Sequence, residues 1–402
     1  MPEAPRETIL QFGTGRFLRA FADLFVHELS ASNKAGIGSV VVLQSTGTQR
    51  AAAFNAQRGR FHVAIRGLRE GRRMDETVEV QSVGRALAAA TDWEQALAVA
   101  RSEELRLVVS NTTEAGYGLD PADSPGDHPP RSFPAKLLTL LAHRFEAGGP
   151  GVTILPCELL ERNGRRLREL VLEQAARWGL AGPLVDWLRG ACFWTSTLVD
   201  RIVSSPRPDD PLSADPLAAV AEPFALWLVE GSCPLAGLEG HPAVRRVECL
   251  EPYALRKVRI LNGAHTALVA KALPLGLETV RQAVEDPAVG PWLRELLFEE
   301  IVPVLEGRTE DPAGFARQAL ERFANPLIDH RLADIALCHA VKVRTRLVPS
   351  HEEYCARFGR SPRLLGEAIS RVETPLSGQC TTDPLPHDPS RAYTFPSSGQ
   401  RE

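Results

Sequence analysis

Apolar and polar positions follow two different periods in the N-terminal part of the chain. The apolar run ETILQF is followed by the turn G-T-G, and apolar residues then recur at three- and four-residue spacing through RFLRAFADLFVHEL. This pattern predicts a strand, a glycine turn and a helix. Three more apolar, largely β-branched runs occur in SVVVLQS, ELRLVVS and GVTILP. The alternation of strands with helices predicts an α/β fold built on a parallel sheet.

Small or polar residues follow each predicted strand. They are the turn at Gly13 and Gly15, Ser45 with Thr46, Ser110 to Thr112, and Cys157 with Glu158. The carboxyl ends of parallel strands meet at one edge of a sheet, and ligands of such sheets bind at that edge. We therefore expect one ligand to contact all four turns.

The pattern changes beyond about residue 250. Long helical stretches appear in HTALVAKAL, PWLRELLFEEIVPVL and DPAGFARQALERFA, with no clear strand between them. We predict an α/β domain over residues 1–248 and a mostly α-helical domain over residues 249–372. Residues 373–402 are rich in Pro, Ser, Thr and Gly and lack periodicity, which predicts a poorly ordered tail.

Composition narrows the class of partner. The chain has 402 residues, and 46 Lys and Arg against 50 Asp and Glu give a net charge of -4. There is no overall basic field, so we expect neither nucleic acid nor a membrane surface as partner. No apolar leader and no stretch of roughly 18 apolar residues is present, which predicts a cytoplasmic protein. The seven cysteines show no C-x-x-C or zinc spacing, so no metal site is predicted.

The turn after the first strand is half of a dinucleotide fingerprint. Gly13 and Gly15 match the first two glycines of G-x-G-x-x-G, whereas Leu18 occupies the third position. Glycines let the backbone approach a pyrophosphate, and the N-terminus of the following helix favours its charge. A tight turn without a ligand is the alternative.

Seven residues are candidates for cofactor binding. They are Gly13, Gly15, Arg16, Phe17, Gln44, Asn111 and Thr112. Gln44 ends the second strand, where an Asp or Glu would bind the ribose hydroxyls of NAD, and Arg50 follows a little further on. The choice between NAD and NADP stays open on these residues.

Lys257, Asn262 and His265 lie within nine residues of one predicted helix. At about 100° per residue, Asn262 falls about 140° and His265 about 80° from Lys257, so all three share one sector. A desolvated lysine can transfer a proton, an asparagine amide can donate to a developing alkoxide, and a histidine can orient either. A solvated lysine, a capping asparagine and a core histidine form the alternative.

Seven segments, in this order, resemble the polyol-specific long-chain dehydrogenases, the mannitol dehydrogenase family, and most closely its tagaturonate reductase branch. They are QFGTGRFLRAF, SNTTEAGY, LPCELLERNG, TLVDRIV, AEPFALWLVEG, RKVRILNGAHTA and RFANPLIDH. The resemblance implies a Rossmann-type domain followed by a largely helical one, with the active site between them. It also implies that Lys257 is the catalytic acid/base without any metal, that Asn262 polarises the carbonyl and that His265 orients the substrate.

Other substrate-binding candidates come from the same resemblance. Leu159 stands where mannitol-type members carry a second asparagine, and Asn163 either compensates or is a turn residue. Asp200 either contacts the substrate or forms a buried ion pair with Arg201. Lys342 matches a substrate-binding lysine and would bind a uronate carboxylate; an exposed lysine on a basic helix is the alternative.

The resemblance implies an NAD(H)-linked oxidoreductase that interconverts D-tagaturonate and D-altronate. The near alternatives are fructuronate or the mannitol and fructose pair. Family members continue with an apolar helical stretch after the position of Leu365, where this chain becomes polar. A catalytically silent NAD(H)-binding protein is therefore the alternative from a different class.

Overall fold

The computed structural model describes residues 6–32, 36–112, 114–180 and 182–371. The strands are β1 (Glu7–Phe12), β2 (Ser39–Gln44), β3 (Phe61–Arg69), β4 (Arg72–Val80), β5 (Val83–Ala88), β6 (Leu107–Ser110), β7 (Thr153–Pro156), β8 (Phe193–Trp194), β9 (Thr197–Asp200), β10 (Val203–Ser204), β11 (Ala219–Ala221), β12 (Leu226–Glu230) and β13 (Val244–Val247).

The α-helices are α1 (Arg16–Leu18), α2 (Leu24–Ala31), α3 (Gln49–Ala56), α4 (Ala89–Arg101), α5 (Phe133–Glu146), α6 (Asn163–Arg177), α7 (Pro183–Gly190), α8 (Glu251–Arg256), α9 (Gly263–Ala272), α10 (Val280–Glu285), α11 (Val289–Glu295), α12 (Val302–Leu305), α13 (Pro312–Phe323), α14 (Leu332–Ile335), α15 (His339–Arg346), α16 (Val348–Phe358) and α17 (Arg363–Ser370). Three π-helical segments lie at Arg19–Asp23, Lys257–Asn262 and Leu296–Ile301. Short 3-10 helices lie at Glu114–Tyr117, Pro211–Ala214, Leu238–Gly240 and Leu273–Leu275.

Six of the described strands form one parallel sheet in the order β5-β2-β1-β6-β7-β8. With strands numbered along the chain within the sheet, this order is that of the Rossmann fold. The four strands expected from the apolar runs are β1, β2, β6 and β7, and the prediction of a Rossmann-type domain is confirmed. Their continuous apolar sequences fit strands that are covered by helices on both faces.

Successive residues of β1 face opposite helical layers. Ile9 packs in a cluster with Phe21 and Phe25 of the helical stretch that follows the glycine turn. Leu10 and Phe12 belong to a second cluster on the other face, which includes Trp93 and other apolar residues of α4 and α5. This alternation follows from the two-residue period of a strand.

Two smaller sheets, which the sequence analysis did not predict, extend the N-terminal part. One has the order β10-β11-β3-β4 and the other β13-β12-β9. Strands β3 and β4 form a hairpin whose two turn residues, Glu70 and Gly71, both have positive φ, as a tight hairpin turn requires. These sheets bring Asp200 and Glu222 toward the helical part.

After Val247 the structure is helical throughout the described range, apart from one isolated bridge between Thr279 and Arg331. The prediction of a mostly α-helical second domain is confirmed. Leu364 and Leu365 of α17 are buried in the core of this part, so the chain remains packed up to its last described helix. The boundary at 248/249 remains a prediction, although β13 ends at Val247 and α8 begins at Glu251; the predicted tail at 373–402 lies outside the described residues.

A buried carboxyl group lies behind the glycine turn. Asp23 ends the first π-helical segment and is 0% exposed. Gln11 donates to its Oδ2 at 3.4 Å, whereas Oδ1 is buried without a hydrogen-bond partner. Burial raises the pKa of Asp23 to about 7, and the hydrogen bond from Gln11 and the charge of Arg19 oppose that rise. A neutral Asp23 is therefore the stable form in the folded protein below about pH 7.

Asp23→Asn should change the pH dependence of stability. Because the pKa of Asp23 is raised on folding, protonated Asp23 contributes to the free energy of unfolding. This contribution is complete below the unfolded pKa near 3.8 and is lost as pH rises toward about 7. As pH rises across that window, the unfolding free energy of the variant relative to the wild type should therefore increase by up to about 1.4 kcal/mol per pH unit. Urea unfolding at several pH values measures this difference.

The exposed Asp209 supplies the matched control, because Asp209→Asn removes a carboxylate without removing a buried one. A difference between wild type and Asp23→Asn that stays constant from pH 4 to pH 8 would contradict the prediction.

Candidate active site

Lys257 and Asn262 are the two ends of a π-helical turn. Helix α8, the π-helical segment and α9 follow one another without a break from Glu251 to Ala272. Within the wide turn the backbone N–H of Gly263 donates to the carbonyl of Val258, five residues earlier. Residues five apart in such a turn project from one face, whereas a regular α-helix separates them by about 140°. The turn therefore aligns Lys257 with Asn262 more closely than the sequence predicted.

Lys257 is held in a buried position between β9 and the helical part. Its side chain is 13% exposed, its Nζ donates to the carbonyl oxygen of Val199 at 2.7 Å, and Nζ lies 4.0 Å from Asp200 Oδ1. Burial lowers the pKa of Lys257, and the nearby carboxylate of Asp200 opposes this shift. A lysine with a lowered pKa has a larger neutral fraction at a given pH than a solvated lysine, so it accepts a proton more readily.

Arg322 of α13 ties Asp200 to Glu222. It donates from Nη1 to Asp200 Oδ2 at 3.1 Å and from Nη2 to Asp200 Oδ1 at 2.9 Å. It also donates from Nε to Glu222 Oε2 at 2.9 Å and from Nη2 to Glu222 Oε1 at 2.7 Å. All three side chains are buried. The guanidinium therefore fixes two strand-end carboxylates against a helix of the C-terminal part.

The pKa shifts in this cluster keep a carboxylate beside Lys257. Burial by itself raises the pKa of Asp200, but Arg322 and Lys257 together bring it below its usual value. Burial raises the pKa of Glu222 despite the opposing charge of Arg322. Asp200 thus remains ionised next to Lys257.

Arg201 is not the ion-pair partner of Asp200. Its Nε donates to the carbonyl oxygen of Glu222 at 3.0 Å, and its Nη1 donates to that of Ala20 at 2.8 Å. Neighbouring residues at a strand end point to opposite sides, so Asp200 and Arg201 do not meet. The expected buried ion pair exists, but its cation is Arg322.

His265 is buried beside this cluster. Its ring lies 4.3 Å from the ring of Phe323 and 4.7 Å from that of His330, measured between centroids. Burial lowers the pKa of His265 well below its usual value, and His330 and Arg322 lower it further. Its Nε2 is buried without a hydrogen-bond partner. His265 is therefore a neutral imidazole with one ring nitrogen free to contact a ligand.

Asn262 and Lys342 lie near the same cleft but differ in the hydrogen bonds that their side chains make. The side-chain amide of Asn262 makes no hydrogen bond to the part of the chain that the structure describes, although its backbone carbonyl accepts one from Thr266 at 2.8 Å. Lys342 is half-buried on α15 and donates from Nζ to the carbonyl oxygen of Ile335 at 2.8 Å. Its charge is close enough to lower the pKa of His265.

Asn163 does not face the cleft. It is 0% exposed, and its Nδ2 lies within 3.1 Å of the carbonyl oxygens of Pro156, Glu158 and Thr197. Its Oδ1 accepts from the backbone N–H groups of Gly164 and Thr197. The amide is fully used in joining the end of β7 to β9, which leaves it no donor for a substrate.

The glycine turn packs closely against the loop after β6 at Gly13 and is open at Gly15. Gly13 has φ +119°, and a Cβ there would lie 3.0 Å from the carbonyl oxygen of Asn111. Gly15 is exposed and precedes the helical stretch that begins at Arg16, and a Cβ there would meet nothing within 4 Å. Arg16 is exposed, while the half-buried ring of Phe17 stacks on Phe21 at 4.8 Å. Open backbone and helix N–H groups therefore border the sheet edge here.

Asn111 and Thr112 are anchored by the end of β7. Asn111 donates from Nδ2 to the carbonyl oxygen of Cys157 at 2.7 Å, and the Thr112 backbone N–H donates to Glu158 Oε1 at 2.8 Å. Tyr117 and Ser110 donate to Glu158 Oε2 at 3.0 and 3.1 Å. Burial raises the pKa of Glu158, and these donors oppose that rise. The carboxyl group thus holds the loop after β6 in place.

Gln44 shapes its own loop. Its Oε1 accepts from the backbone N–H of Ala51 at 2.8 Å, and its Nε2 donates to the carbonyl oxygen of Thr46 at 2.7 Å. Both ends of the amide are therefore engaged at the position expected for a ribose ligand. The hydroxyl of the next residue, Ser45, is buried without a partner.

The structure brings the two groups of candidates to one region. The turns at Gly13, Asn111 and Glu158 lie at the carboxyl edge of the parallel sheet, and β9 carries Asp200 to Lys257. Nowhere in the described ranges do three or more His, Cys, Asp or Glu residues group as metal ligands would. Among the same residues, no helix is long and apolar enough to cross a membrane.

Two family models together match most of the chain. The mannitol dehydrogenase Rossmann domain matches residues 7–238, and the mannitol dehydrogenase C-terminal domain matches residues 249–372. The chain belongs to the mannitol dehydrogenase family. The resemblance seen in the sequence is thereby confirmed, and the chain is an oxidoreductase of that family.

Similar proteins within the mannitol dehydrogenase family agree with the predicted tagaturonate reductase branch, whose members are also called altronate oxidoreductases. The altronate oxidoreductases of Bacillus subtilis (strain 168) and Yersinia enterocolitica (serotype O:8 / biotype 1B) are each 39% identical to this chain, over 383 and 385 residues. Each alignment covers 91% of this chain and 79% of the relative.

Solved structures of the mannitol dehydrogenase family share the fold. A substrate-free D-sorbitol dehydrogenase superposes with a TM-score of 0.76 at 22% identity, covering 91% of this chain and 80% of its own. Pseudomonas fluorescens mannitol 2-dehydrogenase, in a ternary complex with NAD and D-mannitol, gives 0.75 at 23% identity, with coverage of 91% and 78%.

Sequence reasoning missed several residues of the cleft. Arg322, Glu222 and His330 lie inside segments that carry the resemblance, but no role was assigned to them. A buried aspartate needs a cation, and that requirement was the available signal for Arg322. The chain has 46 lysines and arginines, and their positions in the sequence do not indicate which of them supplies the cation.

Arg322→Met should strongly destabilise this family member. The substitution leaves Asp200 and Glu222 buried without their cation, which typically costs about 3–5 kcal/mol of unfolding free energy. Urea unfolding followed by circular dichroism measures the loss. Arg317→Met, at an exposed position of the same helix α13, is the control and should change stability by less than about 0.5 kcal/mol. Equal effects of the two substitutions would contradict the role given to Arg322.

Proposed function

We propose that this protein is an NAD-dependent tagaturonate reductase that interconverts D-tagaturonate and D-altronate. The observation that carries the proposal is the π-helical turn that aligns a buried Lys257 of lowered pKa with an amide, Asn262, that has no hydrogen bond to the described chain. The altronate oxidoreductases at 39% identity support this substrate pair over a neutral polyol.

A nicotinamide dinucleotide fits the residues around the glycine turn. Gly15 leaves room for a pyrophosphate, Gly13 supplies the positive φ of the turn, and the helical stretch beginning at Arg16 would present its N-terminal N–H groups toward that space. Arg16, Phe17, Asn111 and Thr112 would complete the site. Such a cofactor, when bound, accepts or delivers the hydride. Mannitol 2-dehydrogenase of Pseudomonas fluorescens, which has the same fold, was solved with NAD.

NAD is proposed over NADP on the residues that follow β2. Gln44 is engaged with its own loop, so the hydroxyl of Ser45 is the nearer group for a ribose. Arg50 is exposed but donates to the carbonyl oxygen of Pro216 at 2.7 Å. Rates measured with NADH and NADPH in parallel separate the two cofactors.

Lys257 transfers the proton in this proposal. Neutral Lys257 takes the proton of the altronate hydroxyl, and protonated Lys257 returns it to the oxygen of the tagaturonate ketone. The charge of Asp200 at 4.0 Å stabilises the ammonium form as it develops. The proposal gives no role to a metal ion, because the lysine supplies the proton transfer.

Asn262 and His265 position the reacting oxygen. The Asn262 amide donates to it as negative charge develops, and the free Nε2 of neutral His265 contacts a neighbouring hydroxyl. Buried polar atoms without partners are costly, so a polyhydroxylated ligand would relieve the one at His265.

Two other functions remain for comparison. A sibling oxidoreductase would prefer fructuronate or fructose, and a silent binder would bind NADH without turning over any of them. Loss of NADH absorbance with tagaturonate, fructuronate and fructose, together with NADH titration, distinguishes the three. Binding without turnover on every ketone would reject the proposed activity.

Lys257→Ala should lower turnover by about a hundred- to ten-thousand-fold, because the proton acceptor is lost. NADH affinity should be unchanged, since the glycine turn is untouched. Alcohol oxidation by the wild type should rise with pH through a lysine pKa below about 10.4, because the neutral amine is the active form. This limb should be absent from the residual rate of the variant.

Lys271 lies on the same helical stretch and pairs with Glu367 at 2.6 Å, away from Asp200. Lys271→Ala is therefore the control, and it should keep near wild-type turnover. Near wild-type turnover of Lys257→Ala would remove the lysine from catalysis.

Gly15→Val should abolish NADH binding without unfolding the protein. The φ of -64° suits any residue, and a Cβ meets no atom of the described chain within 4 Å, so the added side chain projects into the proposed pyrophosphate space. NADH fluorescence titration measures the binding, and thermal unfolding checks the fold. A folded variant that titrates like the wild type would place the cofactor elsewhere.

A further inference from the structure

Arg346 is a half-buried cation beside the π-helical turn. It ends α15, and its Nη1 donates to the hydroxyl of Thr266 on α9 at 3.3 Å. A Cβ built on Gly263, the residue after Asn262, would lie 3.8 Å from the carbonyl oxygen of Arg346. The end of α15 is therefore packed directly against the start of α9, next to Asn262 and His265.

The guanidinium of Arg346 has N–H groups that make no hydrogen bond to the described residues. Its bond to Thr266 is the one hydrogen bond it makes to the residues that the structure describes, and no carboxylate there lies within ion-pair distance. The other buried arginines near this cleft are used differently: Arg322 binds two carboxylates, Arg201 binds backbone carbonyls, and Arg259 binds Ser350 and Glu353. A desolvated cation without an anion is costly unless a ligand supplies one.

His339 adds a second, independent sign of a missing ligand. It lies seven residues before Arg346 on α15, and residues seven apart share one face of a helix. Its ring is 7% exposed, and neither Nδ1 nor Nε2 has a hydrogen-bond partner. Arg346 is close enough to His339, His265 and Lys257 for its charge to lower the pKa of each. Unsatisfied donors and acceptors therefore converge from α9 and α15.

We propose that Arg346 binds the carboxylate of the substrate, with His339 contacting the same end of the sugar acid. This inference rests on the proposed function, because it assigns the residue that makes the cleft specific for a keto acid over a neutral ketose. Arg346 is thus a specificity-determining residue, whereas Lys257 and Asn262 act on the reacting oxygen.

The geometry of the ligand suits this assignment. Tagaturonate carries its ketone near one end of a six-carbon chain and its carboxylate at the other. Lys257 and the Arg346 contact at Thr266 are nine residues apart along the same helical stretch, which is roughly 13.5 Å at 1.5 Å per residue. Arg346 approaches Thr266 from α15, and the side chain of Lys257 extends to Val199 of β9. A guanidinium also matches a carboxylate through two parallel hydrogen bonds, which an ammonium cannot form.

Lys342 is the competing cation on the same helix. Its Nζ already donates to the carbonyl oxygen of Ile335 at 2.8 Å, at the side of α15 that faces α14. The family resemblance assigns it to the substrate, and both residues can contact one polyhydroxylated ligand. The experiment therefore includes Lys342 as a separate arm.

The test measures affinity for an anionic and a neutral ligand in matched variants. Initial rates at saturating NADH give KM for D-tagaturonate, and D-tagatose, the neutral sugar of the same chain length, is measured as a competitive inhibitor. Arg346→Met should raise KM for tagaturonate about ten- to a hundred-fold, the value of a charge-assisted hydrogen bond, and change the inhibition constant of tagatose by less than about threefold. Arg346→Lys should fall between Arg346→Met and the wild type.

Arg344→Met is the control, because Arg344 is exposed on the same helix and should leave both constants unchanged. Equal losses on tagaturonate and tagatose with Arg346→Met, or no loss, would overturn the inference. A selective loss with Lys342→Met alone would also overturn it and assign the carboxylate to Lys342. A wild type that does not reduce tagaturonate would reject the proposed function together with this inference, whereas an active wild type confines any failure to Arg346.

Discussion

The guanidinium of Arg322 joins the two parts of the chain that meet at Lys257. It binds Asp200 at the end of β9 and Glu222 after β11, and it belongs to a helix of the C-terminal part. Buried charges are tolerated only when they are paired and fully hydrogen-bonded. The same ion cluster therefore contributes to the contact between the two parts of the chain and keeps an ionised carboxylate beside Lys257.

The π-helical turn at Lys257–Asn262 is the second constraint on the cleft. A regular α-helix would separate the lysine and the asparagine by about 140°. The wide turn brings residues five apart to one face while the helix continues on both sides. Burial lowers the pKa of Lys257, and the carboxylate of Asp200 opposes this shift.

The remaining charges around the cleft are arranged asymmetrically. The carboxylates of Asp200 and Glu222 form ion pairs with Arg322 beside Lys257. Arg346 forms no ion pair within the described chain. Buried His265 and His339 also carry unsatisfied ring nitrogens. A ligand that is polyhydroxylated along its length and anionic at one end would satisfy these groups, and a sugar acid has that chemistry.

The sequence by itself determined the Rossmann-type sheet, the helical second part and the family, because these depend on local periodicity and on motifs that stay contiguous along the chain. Lys257, Asn262 and His265 were visible for the same reason. The partners of Asp200 and Asn163 were decided only by the tertiary structure. Arg322 lies 122 residues from Asp200, and the alternation of side chains at a strand end excludes its neighbour Arg201. The contact of Arg346 with Thr266 likewise comes from packing between α9 and α15, which no local pattern encodes.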